Sequence, residues 1–230
     1  MLLRHERSWP SASSARGKRI DTLREQLEHV YWIGGGSGAG KSTIARRIAA
    51  EHGLGIYATD EMMADHAQRA TRHEAPLLHE FIAMDMDERW VNRSPETMFD
   101  TFHWFHGEGF NSIVEDLLAR PRDERLLVEG FRLLPRLVKP LLATPARAVW
   151  LLPTISFREK VLESRGGTAW GFLAKTSDPE RALRNLLERD RMFTDVLREE
   201  TGRLNLHAIE VDTTMTEDDG VRRVTEVFGF

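Results

Sequence analysis

Gly34-Gly35-Gly36-Ser37-Gly38-Ala39-Gly40-Lys41-Ser42-Thr43 stands between an apolar run ending at Ile33 and a stretch in which Ile44 and Ile48 recur at helical spacing. Residues 35–42 satisfy G-x-x-x-x-G-K-[ST]. A strand, a glycine turn and a helix in that order turn successive backbone N–H groups toward an anion at a helix N-terminus, where the dipole favours negative charge. Gly35, Gly36, Ser37, Gly38, Ala39, Gly40, Lys41, Ser42 and Thr43 are therefore the expected phosphate-binding residues. Lys41 is expected to neutralise the β/γ-phosphates of ATP, and the Ser42 hydroxyl to ligate Mg²⁺. Gly34-Gly35-Gly36-Ser37-Gly38-Ala39 also fits the dinucleotide pattern G-x-G-x-x-[GA], with Asp60 placed to hold a ribose. Lys41-Ser42 decides between the two, because phosphoryl transfer uses a cation and a hydroxyl there and a dinucleotide turn uses neither.

Outward from this turn, strand-length apolar runs alternate with longer stretches of helical period, which predicts an α/β fold with a mainly parallel five-stranded sheet flanked by helices. The expected strands are 29–33, 54–59, 125–129, 146–152 and 206–211. Gly53 is placed to end the first helix. Ser94-Pro95, Ser177-Asp178-Pro179-Glu180 as a capping box, and Thr216-Glu217-Asp218-Asp219 as a looser one mark later helix starts. Two insertions exceed the short connections usual in such folds. Residues 60–123 carry Met, Phe and Trp at helical spacing and read as helices covering one end of the sheet. Residues 165–177, with Gly166, Gly167 and Gly171, read as a mobile lid. Both follow strands at their C-terminal ends, or the helices after them, where ligands of open α/β sheets bind. Residues 1–19, rich in Arg and Ser and only loosely like a transit peptide, read as a disordered start to one domain over 20–230.

Composition excludes several classes. The 230 residues contain no cysteine, which removes disulfide scaffolds, thiolate zinc sites and cysteine nucleophiles, and fits a reducing, cytoplasmic compartment. No apolar run approaches the roughly 20 residues that span a bilayer. A net charge of −4 argues against nucleic-acid partners, which usually call for a basic face.

The loop, the layout over roughly residues 29–228 and the acidic strand ends resemble the small P-loop kinases, the superfamily of adenylate, shikimate and gluconate kinases. That resemblance implies a P-loop NTPase fold with a helical substrate region and a lid, and it bears on several residues. Asp60 follows the second strand, where shikimate-type kinases carry a substrate-binding aspartate. Glu129-Gly130-Phe131 follows the third, where related kinases carry an acidic residue, more often aspartate, and glycine. Lid arginines of such kinases neutralise the transferring phosphoryl group. Here Arg165, Arg181, Arg184, Arg189 and Arg191 cluster near residues 165–177, and Arg165 and Arg184 are the expected pair. The apolar face Ala182, Leu183, Leu186, Leu187, Phe193 and Leu197 prevents all five from facing one ligand, and a solvated face paired with Glu180 and Glu188 is the competing reading. Asp212-Thr213-Thr214 corresponds to a loop that passes near adenine.

Chemistry narrows the remaining roles. Asp60 is expected to act as general base or substrate anchor, against the alternative of capping a helix at Glu61-Met62-Met63. Glu129 is expected to order Mg²⁺ or to take the base role. Arg89, Trp90, Asn92, Arg93, His103, Trp104 and His106 are candidates for reading an anionic or ring-bearing acceptor. His103, His106 and Glu108 make only a weak metal set. The expected protein is a monomeric or homodimeric ATP-dependent kinase that moves the γ-phosphoryl group to a small-molecule acceptor. Alternatives are a nucleotide-binding switch, or a kinase acting on a polynucleotide end or a nucleotide-sugar.

Overall fold

The computed structural model describes residues 20–230, so the expected disordered segment 1–19 lies outside the described residues. Five strands form one sheet: β1 (Val30–Gly35), β2 (Gly55–Ala58), β3 (Leu126–Glu129), β4 (Ala148–Pro153) and β5 (His207–Val211). Their order is β2-β3-β1-β4-β5 and every pairing is parallel. Parallel neighbours need crossovers over the sheet faces, so the central strands β1, β3 and β4 are buried throughout, while edge strands β2 and β5 are partly exposed.

Alternate residues of one strand point to opposite faces, and each face has its own core. Tyr31, Ile33, Leu127, Val149 and Leu151 meet Ile44 and Ile48 of α1 (Lys41–His52) on one side. On the other, Val30, Trp32, Val128 and Trp150 meet a layer built largely from residues 60–123. That region holds α2 (Met63–Arg69), α3 (Pro76–Ala83), α4 (Met86–Trp90), α5 (Pro95–Thr101), α6 (His103–His106) and α7 (Phe110–Leu118), as its helical spacing predicts. The short α8 (Pro135–Val138) and α9 (Ile155–Ser164) follow β3 and β4. The long α10 (Pro179–Arg203) buries Ala182, Leu186, Phe193 and Leu197 against the second core. Finally, α11 (Glu217–Phe228) packs Val221, Val224 and Phe228 onto the first. No helix of the described residues is long and apolar enough to cross a membrane.

Boundaries depart from the sequence pattern where backbone pairing or turn chemistry takes over. The first strand continues past Ile33, because Gly34 and Gly35 pair with Trp150 and Leu151. Residues 145–147 form a 3₁₀ turn rather than the start of the fourth strand, since Pro145 carries no N–H for a ladder. Gly53 ends α1 with φ of 64°, and Leu54 N–H donates to Ala49 O at 2.9 Å. Ser94 caps α5 as expected. Asp178, not Ser177, caps α10: its carboxylate accepts from Arg181 N–H, while Ser177 N–H donates to Asp87. Thr216 and Asp219 form a full reciprocal box, tighter than the sequence implied.

Candidate functional site

Every strand of a parallel sheet ends on the same edge, so the segments after β1, β2, β3 and β4 converge there. The chain runs from β1 outward to β2, returns to β3, and crosses β1 to reach β4, which makes β1 the point where strand order reverses and where a crevice opens. A cleft of about 440 Å³ occupies this position. Residues 37–43 form one wall, Asp60 stands beside them, and Arg158, Arg165 and Arg189 line the cleft together with five aromatic rings.

The glycine turn adopts the conformation that its composition permits. Gly38 and Gly40 sit at φ of 74° and 79°, in the left-handed region that side chains disfavour. A methyl group on Gly36 would come within 2.7 Å of Pro153 and 2.8 Å of Thr194 Oγ1, so the turn is wedged against the end of β4 and against α10. Lys41, 6% exposed, donates through Nζ to Gly36 O at 2.7 Å. Burial lowers its pKa, and the nearby Asp60 and Glu129 carboxylates oppose that shift.

Glu129 closes β3 and is 2% exposed. Burial raises its pKa against the pull of Lys41 and of the Ser42 hydroxyl, and its Oε2 has no hydrogen-bond partner. Gly130, at φ of 150°, lets the chain pass under β2's end: a methyl there would run into Thr59 Oγ1. Asp60 accepts from Thr59 Oγ1 at 3.3 Å and lines the cleft. Its alternative as a cap is overturned, because α2 begins only at Met63, with Met62 at the cap position.

The arginines require a correction. Arg165 lines the cleft, 5.6 Å over the Trp170 ring. Arg184 does not: its side chain is 67% exposed and lies 4.0 Å from Glu180. Five residues further along a helix, a side chain points about 140° away, and it is Arg189 that turns to the cleft. Asp190, 3% exposed, holds two guanidiniums at once. Its Oδ2 accepts from Arg158 Nε and Nη2 at 3.1 and 2.7 Å, and its Oδ1 from Arg189 Nε and Nη2 at 3.2 and 2.7 Å. Nη1 of both arginines is buried without a partner. Two cations against one carboxylate leave one buried positive charge in excess beside the phosphate-type loop.

Most of the expected acceptor residues are structural. Arg89 donates to Phe81 O and Ile82 O, and Arg93 to Glu88 O and Thr101 Oγ1. Asn92 is exposed, Trp104 packs under Arg132, and His106 bonds Asp100 O at 2.7 Å. Glu108 accepts from Leu77 and Leu78 N–H at the start of α3, so His103, His106 and Glu108 do not converge; among the described residues no cluster of His, Cys, Asp and Glu could hold a metal. Trp90 alone of the group reaches the cleft. Asp212 makes an Asx turn with Thr214 and Met215. Residues 165–177 hold two 3₁₀ turns, Gly167–Ala169 and Leu173–Lys175, and Trp170 and Phe172 between them line the cleft.

Arg158, Asp190, Phe102, Trp170 and Phe172 escaped sequence reasoning, and Phe131 entered it only as the neighbour of Glu129 and Gly130. A signal existed for Asp190, which falls on the apolar stripe between Leu186 and Phe193, where a charge must be paired. Arg158 gave none, since its partner is 32 residues away.

His103 is a buried group with a measurable consequence. Its ring lies 4.2 Å from Trp104 and 4.8 Å from Phe102, and burial, aided by the charges of Arg132, Arg189 and Arg89, pushes its pKa down to about 3. The unfolded chain takes up this proton near 6.5, so the folded state loses stability as pH falls from 6.5 toward 3. The expected loss is about 2–3 kcal/mol by roughly pH 4.5. A His103→Phe variant should show a flatter urea midpoint over that range; an unchanged slope would refute the assignment.

No protein-family model matches the chain, and no curated protein matches it. Among solved structures the chain is similar to the crystal structure of an uncharacterized protein from Eubacterium ventriosum. The identity is 15% and the TM-score 0.45, over 87% of this chain and 97% of that one.

Proposed function

We propose that this chain is a P-loop kinase, an ATP-dependent phosphotransferase that moves the γ-phosphoryl group to a hydroxyl of a small acceptor. One observation carries the reading: a glycine turn opening a helix, with a buried lysine at its end, shares a cleft at the strand-order reversal with a carboxylate and three arginines. Backbone N–H groups of residues 36–42 hold the polyphosphate, and Lys41 exchanges its bond to Gly36 O for the β/γ-phosphate oxygens. Ser42 and Glu129 suit Mg²⁺, since both present hard oxygen donors and Glu129 Oε2 is buried and unpaired. When bound there, the ion offsets charge on the β- and γ-phosphate oxygens.

Asp60 lines the cleft, whereas Glu129 is 2% exposed and does not, which supports Asp60 as the base. Asp60 accepts the acceptor's hydroxyl proton as the oxygen forms its bond to the γ-phosphorus. The bond from that phosphorus to the β–γ bridging oxygen breaks, and ADP departs with its electron pair. Arg158, Arg165 and Arg189 stabilise charge on the transferring group.

Calorimetry of the full chain with ATP and magnesium chloride should give one saturable site, and a screen of hydroxylated compounds should find acceptors that accelerate ADP release. Absence of heat with both ATP and GTP would overturn nucleotide binding. Binding without any acceptor-stimulated turnover would make the protein a nucleotide-operated switch instead.

A further inference from the structure

Five aromatic rings line the cleft together with the glycine turn, and they come from four separate segments. Trp90 ends α4, Phe102 follows α5, Phe131 follows β3, and Trp170 and Phe172 belong to residues 165–177. Chain neighbours did not place these rings together; the tertiary fold did. Trp90 and Phe172 stack at 4.4 Å with planes 26° apart, Trp170 tilts against Phe172 at 5.4 Å, and Phe102 lies near parallel to Phe131 at 6.4 Å. Trp90 and Phe102 are almost fully buried beneath Arg189, so the more accessible rings along the cavity are the half-buried Phe131, Trp170 and Phe172.

Polar groups on this wall are few and specific. Apart from the glycine turn, the cleft offers Asp60 and three arginines. Arg158 and Arg189 already commit Nε and Nη2 to Asp190, and Arg189 sits 4.5 Å over Phe102 and 5.1 Å over Trp90 with Nη1 unpaired. A saturated polyol would bring many hydroxyls to a wall that meets few of them, and each buried unmet hydroxyl weakens binding. A flat ring exchanges water for aromatic faces and leaves only its oxygen substituents to satisfy.

We propose that the acceptor is a ring-bearing alcohol: an aromatic or heteroaromatic ring held in the cavity that Trp90, Phe102, Phe131, Trp170 and Phe172 line, a ring oxygen toward the cleft arginines, and the reacting hydroxyl at Asp60. The word acceptor rests on the phosphotransfer reading, but the ring site does not, and the two are tested separately. Its occupant packs against the half-buried Trp170 and Phe172, so residues 165–177 supply specificity as well as cover.

The test is saturation-transfer NMR on the full chain without nucleotide, using uridine and 4-hydroxybenzyl alcohol as ring-bearing probes and glucose and sorbitol as saturated ones. The ring-bearing probes should receive saturation at their ring protons and quench tryptophan fluorescence; the polyols should do neither. Phe172→Leu keeps apolar volume at a half-buried position while removing the ring, and it should weaken the ring-bearing probes about tenfold with the thermal midpoint preserved. Equal binding of polyols, no binding of either ring-bearing probe, or unchanged affinity in Phe172→Leu would overturn the proposal. Because nucleotide is absent, failure of ATP to bind elsewhere would sink the kinase reading and leave this result intact.

Discussion

Lys41→Ala should lower kcat/KM about 10³-fold, or about 4 kcal/mol of transition-state stabilisation, without lowering the thermal midpoint. The two halves of this expectation have different origins. In the folded chain Lys41 is 6% exposed, and burial depresses its pKa, so the ammonium is held in a place that disfavours its charge. A single bond to Gly36 O and the carboxylates of Asp60 and Glu129 compensate only in part. Removal therefore relieves a burial penalty while taking away the ammonium that the proposed mechanism sets against the β/γ-phosphates. Steady-state kinetics beside a melting curve reads both effects. Near-normal turnover in the variant would refute the mechanism, and a collapsed fold would make Lys41 a structural residue.

Asp190→Asn should produce the largest loss of stability of any change at the cleft. The carboxylate accepts two bonds from each of Arg158 and Arg189, and all three side chains are almost fully buried. Without it, two guanidiniums remain in an apolar setting with no counter-charge. Breaking a buried pair in this way costs about 3–5 kcal/mol, which corresponds to roughly 10 °C in thermal midpoint for a chain of this size. Arg184→Ala is the matched control. Its side chain is 67% exposed and 4.0 Å from Glu180, so the expected change stays within about 0.5 kcal/mol. Denaturant titration of both variants checks the contrast. If millimolar phosphate restores part of the midpoint in Asp190→Asn, the freed arginines bind anions, as the proposed phosphotransfer expects.

The strands and their caps were open to sequence reasoning because they depend on near neighbours. Val30, Trp32 and Val128 alternate with Tyr31, Ile33 and Leu127 whatever lies around them, and the two faces of the sheet follow from that alternation. The glycine turn was equally local, since Gly38 and Gly40 are needed for their own φ angles. Arg184 was misjudged, and Arg158 missed, for one reason. An arginine's role is set by what it meets across the fold, and Asp190, not the run of residues around it, decides which guanidiniums stay beside the loop.

The sequence by itself determined the alternation of strands and helices, the turn after Ile33 with Lys41 at the start of the helix behind it, and Asp60 and Glu129 at the ends of the next two strands. Local steric rules and period suffice for those. Only the tertiary structure decided the order of strands about β1, the pairing of Asp190 with Arg158 and Arg189, and the gathering of Trp90, Phe102, Phe131, Trp170 and Phe172 in one cavity. Contacts across such separations in the chain come from packing that fills both sheet faces at once, and no short window of sequence carries that constraint.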